Sequence, residues 1–278
     1  MGGDMVAVGP PIELAGLTLV LALIGGLFPI FSKLKENPEN LRRITGIASG
    51  ILLASALLVV VPEGFELATG DHDEHDDEGL ENLMIGAAIL AGFMMMLILE
   101  GSGIGHAIHE EHHDHHDEHG HEHVHHRTSP WIIVLGLSLH SAADGLAIGS
   151  AAAGTSEAVT ALVAMAVLIH KIPAAFSLGV FSMHERENRN ESIRDVVLFS
   201  LATPVMIMIS FYALQGVDEH IIALSMLFAA GTFLYVATVD TLPDIHNPET
   251  GRGALLNVLI GVSLMLVILL LVGDLHAH

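Results

Sequence analysis

The chain has 278 residues, 51% of them hydrophobic and 15% charged, with a formal net charge of −22 from 10 Lys+Arg against 32 Asp+Glu. So acidic a surface repels nucleic acid, and the absence of cysteine excludes disulfides and thiolate metal sites. Apolar runs of about twenty residues recur along the chain, the length that crosses a hydrocarbon core, so the bilayer is its solvent.

The first run, Ile12–Ser32, has an acidic flank, Asp4 and Glu13, and reads as a retained helix rather than a cleavable leader. The second, Ile44–Phe65, ends in Pro62-Glu63. The third, Leu83–Ile104, carries Met94–Met96, read as lipid-facing or packing methionine, and Glu100 near its end. A His-rich segment follows, residues 106–128, with eleven of the twenty histidines. Its composition cannot build a packed core, and disorder is expected without metal. The remaining segments are Pro130–Ala152, Ala158–Met183, Val196–Leu214, Ile221–Thr241 and Leu255–Val272, the seventh being followed by Pro243-Asp244. The expected fold is an all-α membrane protein, one transmembrane domain over residues 1–278, with eight transmembrane helices. The Pro-acid echo in the second and seventh suggests two three-helix units of inverted topology around a central pair, a 3+2+3 arrangement.

Orientation follows from the basic residues. The first, third, fifth and seventh loops hold Lys33, Lys35, Arg42, Arg43, Arg127, Arg186, Arg189, Arg194 and Arg252, while the others and both termini hold none. Both termini are therefore expected outside and the His-rich loop in the cytoplasm, in a multi-pass protein of the cell membrane.

Two segments carry chemistry. The fourth reads HSAADG from His140 to Gly145, and the fifth reads HKIPAA from His170 to Ala175. Ionisable groups at that depth are costly unless paired or bound. His140 and Asp144, four apart, share one helix face. With His170 on the next helix they offer an imidazole–carboxylate–imidazole set suited to zinc or manganese. Pro173 leaves the carbonyl of Ile169 without its helical donor. The bland reading, hydrogen bonding between helices, stands beside this one. Glu63 and Asp240, near opposite membrane faces, and Glu100 are lower-grade transit ligands. His109, His112, His113, His115, His116, His119, His121 and His123 read as a loop metal trap. Two HExxH strings in that loop, His109–His113 and His121–His125, arise by chance in so His- and Glu-rich a tract.

His140–Gly154 (HSAADGLAIGSAAAG) followed by His170–Gly179 (HKIPAAFSLG) resembles the ZIP (Zrt/Irt-like) metal transporters, closest to the subgroup with HKxPAA in the fifth helix. Met226–Thr238 (MLFAAGTFLYVAT) and Val59–Gly64 (VVVPEG) add to the resemblance. It implies import of zinc, with cadmium, iron or manganese as further cargo, and a homodimer in several members; no organic cofactor is expected. Carried over, His140, Ser141 and Asp144 fall on the fourth-helix metal positions, with Ser141 of lower grade. His170 and Lys171 fall on the first two fifth-helix positions. Many members hold two metals and carry acids where Lys171 and Ala174 stand, so one transported ion is expected, with the Lys171 ammonium replacing the second. A metal-sensing membrane receptor without transport is the alternative. An enzyme is not expected, since no HExxH lies within an apolar helix.

Overall fold

The computed structural model describes residues 10–32, 38–69, 78–99, 101, 130–186, 188–239, 245–246, 248 and 250–276. Its long elements are all helical. They are α1 (Ile12–Phe31), α2 (Pro38–Ser55), α3 (Val61–Thr69), α4 (Glu78–Leu99), α5 (Pro130–Gly154), α6 (Glu157–Glu185), α7 (Arg189–Leu214), α8 (Glu219–Val239) and α9 (Gly251–His276). A π turn, Ala56–Val60, joins α2 to α3, so the two form one continuous span, Arg42–Thr69. Pro62 lies just after it and has no N–H to offer the carbonyl of Leu58. Among the described residues, seven spans are long and apolar enough to cross a membrane. The eighth, α5, has 25 residues and carries the polar HSAADG run. The protein is thus a multi-pass, all-α membrane protein, with eight spans among the described residues.

On α1 the burial is inside out relative to a helix of a soluble bundle. Its buried positions are Ala15, Thr18, Ala22, Gly25, Gly26, Pro29 and Ile30, while Leu17, Val20, Ile24, Phe28 and Phe31 are exposed. Lipid rewards no burial of leucine, so close backbone packing of small residues holds the helices together.

Neighbouring helices come in exchanged pairs. α5 packs on α7 as α6 packs on α1; α9 packs on α2 as α4 packs on α8; α5 meets α8 as α6 meets α2. Swapping the first span with the sixth, second with seventh, third with eighth and fourth with fifth maps each of these contacts onto its mate. Each swap joins an odd span to an even one, so the mates run in opposite directions, which is the inverted 3+2+3 arrangement. The glycines obey the same exchange. A Cβ on Gly50 would lie 2.2 Å from the Val258 carbonyl oxygen, and one on Gly261 would lie 2.2 Å from that of Ile47. In the mate pair, a Cβ on Gly92 would lie 2.0 Å from the Phe228 oxygen and one on Gly231 would lie 2.0 Å from the Ile89 oxygen.

The main contacts also sort the spans into two four-span groups. One holds α1, α5, α6 and α7; the other holds α2–α3, α4, α8 and α9. The connections inside the first group are short and capped. The Ser156 hydroxyl accepts from the Val159 N–H at the start of α6, and the Asn188 side chain accepts from the Asn190 N–H at the start of α7. At that α6–α7 end the buried Asp195 accepts from Ser182 Oγ and Arg186 Nε, both at 2.8 Å, and Trp131 contacts the Arg186 and Arg194 guanidiniums. Aromatic and basic residues clustered at one end of the helices are what a membrane interface selects.

The packing generates a paired prediction. Gly231→Val should destabilise the detergent-solubilised protein by about 1–3 kcal/mol or more, because it overpacks backbone on backbone. Gly86→Ala, where nothing lies within 4 Å, should be about neutral. Thermal unfolding of the two variants checks the contrast.

Candidate metal site

Helical spacing sets the site. His140 and Asp144 lie one turn apart on α5, and Ser141 is turned about 100° from His140 toward α7. On α6, His170 and Lys171 repeat this relation. The exchange of the fourth and fifth spans places HSAADG opposite HKIPAA, so Ser141 faces Lys171, and Asp144 has only Ala174 as its mate. The arrangement therefore contains a single carboxylate.

That carboxylate is fully buried and its two oxygens have different partners. Oδ2 accepts from Lys171 Nζ at 2.8 Å. Oδ1 lies 3.2 Å from His170 Nε2 and 3.8 Å from His140 Nε2. One ligand atom from each of these three residues can be chosen so that all lie within 4.8 Å of one another, and this is the one such metal-competent group among the described residues.

The hydrogen bonding of His170 indicates what can sit there. Nδ1 is 2.9 Å from the Ala166 carbonyl oxygen, which only accepts, so Nδ1 carries the hydrogen. In the neutral ring Nε2 then turns a lone pair toward Asp144 Oδ1. Two facing lone pairs at 3.2 Å repel unless a cation, proton or metal, lies between them. A tetrahedral zinc with ordinary bond lengths separates its nitrogen and oxygen ligands by about 3.3 Å. The carbonyl bond on the far nitrogen is also the orienting contact usual for a metal-bound imidazole. The Ala166 carbonyl in turn receives Ser55 Oγ of α2 at 3.5 Å. His140 is less constrained, and its Nδ1 has no hydrogen-bond partner.

Lys171 is 0% exposed and held on every side. Its ammonium donates to Ser141 Oγ at 2.7 Å, to Thr203 Oγ1 of α7 and to Asp144 Oδ2, and it lies 4.9 Å from the centre of the Phe199 ring. Ser141 Oγ is also 2.8 Å from Thr203 Oγ1, and Thr203 Oγ1 donates to the Ser141 carbonyl at 2.7 Å. The structure thus places Ser141 in the ammonium's cradle, among Lys171, Thr203 and Phe199. Hydroxyls and aromatic rings are common in membrane helices, so nothing in the chain marked Thr203, Ser55 or Phe199 beforehand.

Glu63 is half-buried and lines a cavity of about 310 Å³ with Glu66, Gly154, Thr155, Ser156 and Glu219. This mouth sits at the α5–α6 turn, the opposite end of α6 from the Arg186 cluster. Met94 is 38% exposed and Met96 is buried, as lipid-facing and packing methionines would be. Asp240, Glu100 and the loop histidines from His109 to His123 lie outside the described residues.

Comparison with known proteins completes the picture. A family model described as ZIP Zinc transporter matches residues 9–103 and 102–269. The chain is 32% identical to Zinc transporter ZIP9 of Xenopus tropicalis over 271 residues, covering 84% of this chain and 86% of the relative. It is 31% identical to Zinc transporter ZIP9 of Micropogonias undulatus over 278 residues, with 84% and 86% covered. It is 26% identical to Zinc transporter ZIP1 of Danio rerio over 295 residues, with 94% and 96% covered. A helical membrane fold with this match along nearly its whole length is a transporter rather than an enzyme, and the chain belongs to the ZIP zinc transporter family.

Proposed function

We propose that this protein carries one divalent transition-metal ion at a time, zinc first, across the membrane toward the cytoplasm through His140, Asp144 and His170. The observation that carries the reading is the facing of His170 Nε2 and Asp144 Oδ1 at 3.2 Å with Nδ1 already committed to a carbonyl. The ion collects at the mouth lined by Glu63, Glu66 and Glu219, loses most of its water, and binds the three side chains. Because Lys171 already balances Asp144, the ion adds uncompensated positive charge on binding. That keeps the site weak enough to release its cargo, as a carrier requires. Release follows movement of the α1/α5/α6/α7 group, which holds the site, against the other group. Asp240 and Glu100 serve as transit ligands near the inner face. The loop histidines His109, His112, His113, His115, His116, His119, His121 and His123 form a cytoplasmic trap of exchangeable imidazoles.

Zinc flux into proteoliposomes tests the reading. His170→Ala should lower flux at least about tenfold, since even the outer partners of metal ligands are worth about 10–100-fold, while the variant keeps the parent's melting profile. Unchanged flux would overturn the site, and zinc binding without flux in the parent would make the protein a receptor.

Two further outcomes follow from the site's chemistry. Lys171→Asp replaces the built-in cation with a ligand beside Asp144, Ser141 and Thr203. This variant should retain about one more tightly held zinc per chain than the parent after dialysis against a weak chelator. Imidazole ligands bind metal only when unprotonated, so uptake should fall as the medium is acidified far enough to protonate them. Initial rates down an acid series check the sign, and uptake indifferent to acid throughout would count against histidine ligation.

A further inference from the structure

The GTFLY stretch of α8 contributes no metal ligand, yet one of its rings closes the site. Gly231 brings the α8 backbone against α4, where its Cβ would meet the Ile89 oxygen. Two residues on, about 200° around the helix, Phe233 points the opposite way. It is 0% exposed, and its ring centre lies 5.8 Å from those of both His140 and His170, tilted at 76° and 67°. The two imidazole centres are 6.1 Å apart, so the three rings form a nearly equilateral triangle. Tyr235, packed edge-on against Phe93 of α4 at 5.1 Å, locks α8 in that rotation.

The site thus has two unlike flanks. On the α7 side stands the Lys171 cradle; on the α8 side stands a benzene ring, which cannot ligate an ion or hold its water. Phe233 also belongs to the group of helices that does not carry the site.

The geometry points to Phe233 as a specificity-determining residue that limits how many waters the ion bound by His140, Asp144 and His170 retains. Three ligands beside an apolar wall favour completing the shell with a single water over a fuller hydration. This suits four-coordinate zinc and penalises ions such as manganese, which prefer six oxygen-rich ligands. This inference rests on the transport reading above, because the waters counted are those of an ion held by the three side chains.

The test is competitive uptake of zinc and manganese into the same proteoliposomes, read as a ratio that does not depend on how much protein is inserted. Phe233→Ala, which opens space for water, should raise the manganese-to-zinc ratio by about tenfold, the discrimination one altered apolar contact supplies. Phe233→Leu, which keeps an apolar wall, should stay near the parent ratio. If the alanine variant does not reach the membrane, Phe233→Val carries the same expectation at smaller amplitude. An unchanged ratio in the variant that removes bulk, or an equal shift in the leucine variant, overturns the inference. The His170→Ala arm separates the two readings. Flux lost there with an unmoved ratio at position 233 defeats only the role of Phe233. Flux retained there defeats the site itself.

Discussion

One ionised carboxylate in the middle of a bilayer organises this protein. A charged Asp at that depth costs about 2.5–3.5 kcal/mol on insertion scales, so its two oxygens must be matched. Asp144 meets the demand asymmetrically: Oδ2 is bound by an ammonium and Oδ1 faces two imidazoles. The ammonium needs partners of its own and finds them in Ser141 and Thr203, which tie α6 to α5 and α7. The imidazole side keeps a lone-pair conflict that only a cation resolves. Stability and function therefore divide between two oxygens of one side chain.

The surrounding architecture makes such a site movable. Neither group of helices is held by hydrophobic collapse, because lipid tails are as apolar as leucine. Glycine-to-backbone contacts hold α2 to α9 and α4 to α8. The group with α5, α6 and α7 carries every residue that touches Asp144 and Lys171 with a polar atom. The opposing group offers mainly apolar surface, Phe233 against the two imidazoles among it, and Ser55 reaches across to the Ala166 carbonyl. A polar unit next to a mostly smooth apolar one can shift without breaking its own ion pairs.

Much of this was legible in the chain. Eight apolar segments and a one-sided distribution of arginine and lysine gave the span count, and His140, Asp144, His170 and Lys171 stood out as ionisable groups inside apolar runs. Helix ends were less legible. Hydropathy begins the second and sixth segments at Ile44 and Val196, whereas the helices begin at Pro38 and Arg189, since a helix keeps its hydrogen bonds after its side chains turn polar. Glu63 was visible as an acid at a helix end, but not its company with Glu66 and Glu219, which come together only where α3, the α5–α6 turn and α8 converge. Thr203 and Ser55 carried no mark, because in a membrane helix such residues are ordinary, and Phe233 stood in the Met226–Thr238 stretch with nothing to single it out from its neighbours.

The sequence by itself determined that the chain lives in a bilayer, how many times it crosses, and which ionisable groups it takes down with it. Hydropathy and charge are properties of single residues and survive without coordinates. Only the tertiary structure decided how those charges are shared: Lys171 on one oxygen of Asp144, His170 and His140 on the other, and a phenylalanine from the far group over both rings. The physical reason is that pairing depends on side-chain direction to within a few tenths of an ångström. That direction is set by where glycines let the backbones meet.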